Sequence, residues 1–187
     1  MNNIMLDLET LGTQKDAVIL SIGAVFFDKN GIGEKFYSTI DMQSCIDAGF
    51  TIDGLTIEWW MEQSVNVRNE TFKRNRNIPS RIPEMIGDYS LQSALTSFGS
   101  FVDGSSDVKI WGNGSDFDNA MLKNAYDKTG NYAPWRFYNN RCFRTLKNLY
   151  PDVSKPESNG TLHNALDDAI WQAWYAIKII NEKGLEI

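Results

Sequence analysis

Apolar and polar positions alternate through Ile4-Met5-Leu6-Asp7-Leu8-Glu9-Thr10, with Ile4, Leu6 and Leu8 on one side and Met5, Asp7 and Glu9 on the other. Side chains on a strand repeat every two residues, so this stretch reads as a strand with two carboxylates on one face. Residues 17–27 are nearly continuous apolar, rich in β-branched and aromatic side chains, and predict a second strand. Asp28-Lys29-Asn30-Gly31 is a turn signal, and Lys35 to Ile40 predicts a third strand. An antiparallel meander therefore opens the chain.

Residues 41–62 read as irregular chain with one short helix at Thr56 to Glu62, capped by Thr56. Residues 63–88 are the least regular part. Leu91, Ala94, Leu95, Phe98 and Phe101 recur near every 3.6 positions and predict a helix over 89–102. Val108 to Trp111 predicts a buried strand. Gly112 to Ser115 is a tight turn into a helix over 116–128. A last strand is expected at 135–140 and a short helix at 142–150, stopped by Pro151. Leu166, Ala169, Ile170, Ala173, Ile177 and Ile180 form one stripe of a final helix over 164–182, ended by Gly184. Strands first, then helices alternating with strands, predict an α/β fold with a mixed sheet flanked by helices.

The length of 187 residues suits one domain with a sizeable core, and 42% hydrophobic with 22% charged residues is an ordinary globular composition. No apolar run approaches the ~18 residues that a membrane span needs, so no membrane partner is expected. The first nine residues hold two acids and no basic segment, unlike a signal peptide. Cys45 and Cys142 are far apart and read as reduced thiols of a cytoplasmic protein. The net charge of −6 argues against a protein that coats nucleic acid electrostatically, but not against an enzyme acting on it.

Three constellations carry the chemistry. Asp7 and Glu9 have Cα atoms roughly 6–7 Å apart on a strand, which suits carboxylates that share a divalent cation or bridge a pair. A polar edge strand explains the same pattern. Asp116 and Asp118 lie between a strand and a helix start, where one of them serves as a cap. His163, the chain's one histidine, stands at a helix entrance before Asp168; Asn164 and Asp167 can make a capping arrangement that leaves Asp168 free to turn inward. Two tryptophans in sequence, Trp59 and Trp60, cannot face the same way on a helix, so one meets the core and the other a cleft. Trp60 is the candidate for stacking on a base. Arg68, Lys73, Arg74, Arg76 and Arg81 form a basic window, read equally as a phosphate-facing flap or a solvated loop.

Asp7-Leu8-Glu9-Thr10, Ser115-Asp116-Phe117-Asp118 and His163 with Asp168 resemble, in order and spacing, the three motifs of the DEDD-type 3′–5′ exonucleases, in the subclass with a catalytic histidine. The likeness runs from Ile4 to about Ile180, and Thr56 to Trp60 with Arg144-Thr145 look nearest to phage-type exonuclease A. It implies a ribonuclease H-like, three-layer fold with a mixed five-stranded sheet, and one exonuclease domain over 1–187. It implies metal ligands at Asp7, Glu9, Asp118 and Asp168, the acid after Phe117 selecting Asp118 over Asp116, and His163 as general base. Two divalent cations, Mg²⁺ or Mn²⁺, are the implied cofactors. Single-stranded DNA or RNA 3′ ends are the implied substrate, and a homodimer is compatible with several relatives. Thr10 and Leu11 match positions that contact the terminal nucleotide, Leu11 as a wedge against its base; Asn113 is a further candidate contact. The chain departs from many members in having no histidine at the second motif and a cysteine, Cys142, where some carry an aspartate. A catalytically silent nucleic-acid-binding module and a metal-dependent nucleotide phosphodiesterase are the alternative readings.

Overall fold

A computed structural model describes residues 1–72, 89–102, 107–157, 160 and 163–186. Most of the basic window (Lys73, Arg74, Arg76 and Arg81) lies outside the described residues. Strands β1 (Asn3–Thr10), β2 (Ile19–Asp28) and β3 (Gly31–Thr39) form the expected antiparallel meander. Strands β4 (Lys109–Gly112) and β5 (Asn140–Cys142) add to β1 in parallel, giving the order β3-β2-β1-β4-β5. The mixed five-stranded sheet with flanking helices agrees with the sequence pattern.

The helices are α1 (Met42–Asp47), α2 (Gly54–Glu62), α3 (Val65–Thr71), α4 (Leu91–Val102), α5 (Asp118–Lys128), α6 (Phe143–Leu149) and α7 (Ala165–Lys183). Three assignments change. Helices α1 and α3 occupy stretches expected to be irregular; each is short and is defined by a cap, Asp41 on Ser44 N–H and Ser64 on Val67 N–H, rather than by an apolar stripe. Asp53, not Thr56, caps α2, accepting from Thr56 N–H at 2.9 Å. The last strand begins at Asn140, because Phe137–Asn139 form a 3-10 turn that leaves Phe137 and Tyr138 exposed. Gly184 ends α7 in the left-handed conformation, φ 62°.

The pleat of β1 sorts the layers. Ile4, Leu6 and Leu8 pack on one face with Leu91, Leu95 and Phe98 of α4 and Met121 and Leu122 of α5. Met5 faces the other way, with Val25, Phe27 and Trp111 under Ala169, Ala173, Ala176 and Ile180 of α7 and Phe143 of α6. Asp7 and Glu9 share the parity of Met5 and so lie on the α7 side. Gly23 pairs with Asp7 across β1 and β2, and a Cβ there would stand 2.1 Å from the Ala165 carbonyl carbon. The missing side chain lets the first turn of α7 lie directly on the sheet beside the two acids.

Candidate active site

A pocket of about 590 Å³ opens where the end of β1, the N-terminal part of α2 and the entrance to α7 meet. Asp7, Glu9, His163 and Asp168 line it together with Leu55, Thr56, Trp59 and Trp60 of α2. One ligand atom from each of Glu9, His163 and Asp168 lies within 4.8 Å of the others. Asp118 is almost fully buried behind them, near enough to Asp7 to repel it.

Each acid reaches the cluster for a local reason. The strand period puts Asp7 and Glu9 on one face. Asn164 Oδ1 caps α7 by accepting from Leu166 N–H at 3.1 Å and Asp167 N–H at 3.2 Å, which sets the first turn so that Asp168 faces the sheet. Gly112, at the end of β4, has no room for a Cβ: it would lie 2.4 Å from Asn119 Oδ1 and 3.0 Å from Asp118 Cβ. That close approach holds the start of α5, and with it Asp118, against β4. Gln172, one turn beyond Asp168, is buried and donates from Nε2 to Asp7 Oδ1 at 2.7 Å, which orients that carboxylate. Gly23, Gly112 and Gln172 are not recognisable from the motifs. Only close approach or burial in the folded chain marks them.

The electrostatics are those of an anionic cluster out of water. Burial, then the Asp118, Glu9 and Asp168 carboxylates, push Asp7 well above the usual carboxylate range, against the opposing Gln172 hydrogen bond. Burial, then Asp168 and Asp118, push Glu9 up to about 8. Burial raises Asp118 to about 7, opposed by the Leu8, Asn113 and Asp118 backbone amides and by Arg144. Burial also raises Asp168, opposed by His163. Oxygen donors in this state, with one imidazole beside them, fit a hard divalent cation.

His163 is held in an uncommon conformation, with φ 57°, at the residue before the α7 cap. Its ring meets Trp59 edge-on at 5.0 Å between centroids, and Trp60 at 5.9 Å. Both tryptophans line the pocket, one buried and one half-exposed, and the buried one is Trp60. Trp60 is 2% exposed and donates from Nε1 to the Thr10 carbonyl at 2.9 Å, so it braces the pocket floor. Trp59 is 42% exposed and carries the open ring. Thr10 lines the pocket, its hydroxyl donating to Gly12 O at 2.8 Å. Leu11 does not reach the pocket. Its N–H donates to Val18 O, its carbonyl accepts from Asp53 N–H, and its side chain is buried in the core, so it forms no wedge. Asn113 lies off the pocket as well, its side chain accepting from Lys147 and its carbonyl from Arg144. Cys45 and Cys142 are both free.

Solved structures share this architecture. Exonuclease X in complex with 5′-overhanging duplex DNA superposes with a TM-score of 0.57 at 15% identity, covering 98% of this chain and 94% of that one. The nuclease domain of 3′hExo, a DEDDh family member bound to rAMP, gives 0.60 at 12% identity, with 96% and 92% covered. Cell-death related nuclease 4 gives 0.50 at 14% identity, with 96% and 64% covered. No curated protein sequence matches the chain. At these identities the likeness establishes the fold, which is ribonuclease H-like, the architecture of DEDDh nucleases. The chain belongs to the family of 3′–5′ exoribonuclease Rv2179c-like domains, whose pattern matches residues 2–180. It is an enzyme, a 3′–5′ exonuclease.

Proposed function

We propose that the protein removes nucleotides stepwise from the 3′ end of single-stranded nucleic acid. In this reading Asp7, Glu9, Asp118 and Asp168 hold two divalent cations, Mg²⁺ or Mn²⁺, and His163 is the general base. The observation that carries the reading is the convergence of four carboxyl groups, Glu9 and Asp118 buried and Asp7 and Asp168 half-buried, beside one histidine at a pocket sized for a small ligand. When bound, the cations lower the pKa of a water and stabilise the leaving 3′ oxygen.

The chain's own residues do the rest. His163 takes the proton of the attacking water, its ring steadied by the edge contacts to Trp59 and Trp60. Trp59 offers a face to the terminal base, and stacking of this kind suits an unpaired strand. Gln172 fixes the Asp7 carboxylate, and Trp60 fixes the Thr10 backbone at the floor. The family's description as exoribonucleases favours RNA over DNA. Residues 1–187 then act as one exonuclease domain, in the cytoplasm, as a monomer or a homodimer. Thr56 to Trp60 and Arg144-Thr145 support a nearer kinship with phage-type exonuclease A. Among the described residues no helix is long and apolar enough to cross a membrane.

The test is a panel of 5′-labelled substrates, single-stranded and duplex, RNA and DNA, with Mg²⁺, Mn²⁺ or EDTA. The expected result is a ladder shortening from the 3′ end, fastest on single-stranded RNA and absent in EDTA. Cleavage that persists in EDTA, or that prefers blunt duplex, would overturn the reading.

A further inference from the structure

A second polar cluster lies beyond Asp118, outside the pocket. Arg144 Nη2 donates to the Asn113 carbonyl at 2.5 Å, and Lys147 Nζ donates to Asn113 Oδ1 at 3.1 Å. Two cations from α6 thus converge on one residue of the turn that joins β4 to the start of α5. Their partners there are neutral oxygens. Neither Arg144 nor Lys147 forms an ion pair among the described residues, although the Asp116 carboxylate lies over the same glycine, Gly114, as Arg144.

Lys155 adds a third positive charge. Partial burial first, then Arg144 and Lys155, push the Lys147 ammonium below its usual range. Surface cations ordinarily spread apart or pair with acids. Here a chain of net charge −6 keeps Arg144 and Lys147 on one residue of the turn that leads into Asp118. Such an arrangement is stabilised by a bound anion.

We propose that Arg144 and Lys147 form a phosphate-binding step for the part of the strand upstream of the nucleotide being removed. This rests on the 3′-exonuclease reading and deepens it. The terminal nucleotide occupies the pocket beside Trp59, the scissile phosphate sits at the acids, and the next phosphates cross Asp118 to α6. Arg144 lies close enough to Asp118 for its charge to favour that carboxylate, which puts the step adjacent to the cutting site. The fork of Arg144 and the point charge of Lys147 suit phosphate oxygens. Recognition of this kind reads the backbone and carries no base preference.

The test compares a dinucleotide with a decamer as substrates for the wild type, Lys147→Ala, Lys147→Arg and Arg144→Ala, across about 50–200 mM KCl. Each alanine variant is expected to raise KM for the decamer roughly three- to tenfold, and to lower the slope of log(kcat/KM) against log[KCl] by about 0.7. The advantage of the decamer over the dinucleotide shrinks in the variants, and Lys147→Arg restores the wild-type slope. A role confined to holding the Asn113 turn would change melting temperature or kcat and leave the salt slope alone. An unchanged slope in well-folded alanine variants overturns the proposal while the exonuclease stands. A wild type that cuts neither substrate overturns the exonuclease reading itself.

Discussion

Substituting Gly23 with alanine is a sharp geometric test of how the site is assembled. The new Cβ would lie 2.1 Å from the Ala165 carbonyl carbon, 2.2 Å from Leu166 N and 2.3 Å from Ala165 O, all backbone atoms. Carbon contacts settle near 3.5 Å, so β2 and the first turn of α7 must part by about 1.4 Å. Asp168 sits on that turn and His163 just before it, while Asp7 and Glu9 stay on the sheet. Metal-site distances tolerate only about 0.2 Å, and a misplacement of about 1 Å costs on the order of 10²-fold in rate. Overpacking itself costs about 1–3 kcal/mol, which lowers the melting temperature by roughly 2–12 °C for a chain of this length. The expected variant therefore folds, melts cooperatively, and loses on the order of 10²-fold in 3′-end cleavage together with most of its stabilisation by Mn²⁺. Gly54→Ala is the control, because a Cβ there meets nothing within 4 Å. Oligonucleotide cleavage rates and melting curves with and without Mn²⁺ read both effects. A folded Gly23→Ala protein within about threefold of wild-type activity would refute the packing argument.

Further outcomes follow from the same site. Glu9 and Asp118 are raised to about 8 and about 7 in the metal-free protein, so the folded state holds protons that the unfolded chain releases. Their contribution to stability is complete below the ordinary carboxylate range and is lost as pH rises through those values. Melting in EDTA should fall from about pH 5.5 to 8.5, Mn²⁺ should offset the fall most at the alkaline end, and a rise in EDTA over that window would contradict the assignment. Gln172→Ala removes the donor to Asp7 Oδ1 and should weaken Mn²⁺ binding roughly 10- to 100-fold by calorimetry; binding within about twofold of wild type would contradict the orienting role. Trp59→Ala should cost about 1–3 kcal/mol of single-strand affinity by fluorescence titration with little change in melting, whereas Trp60→Ala should cost about 3–5 kcal/mol of stability in denaturant unfolding.

Strict alternation in β1 made the shared face of Asp7 and Glu9 readable, because period two is the one pattern a strand imposes. The long apolar stripe of α7 and its Asn164 cap were legible for the same kind of reason. Short elements were not. Helices α1 and α3 have too few turns to show a stripe and depend on single capping residues. The aromatic run Trp135 to Tyr138 imitates a strand, yet only Trp135 is buried, and its Nε1 bonds Asn140 Oδ1 at the true start of β5. Adjacent tryptophans had to diverge, but which one turns inward is decided by the Thr10 carbonyl, distant in sequence. Leu11 follows the first motif directly, and only the pairing of its backbone with Val18 and Asp53 shows that it belongs to the core. Gly23 and Gln172 gain their roles solely from what the folded chain brings against them.

The most direct test of the central claim is a time course on 5′-labelled single-stranded RNA with Mn²⁺, wild type beside His163→Ala. The expected result is a ladder that shortens from the 3′ end in the wild type, slowed at least about 10²-fold in a variant whose melting is still raised by Mn²⁺. Cleavage by the variant at the wild-type rate, or release of the 5′ label as the first product, would contradict it.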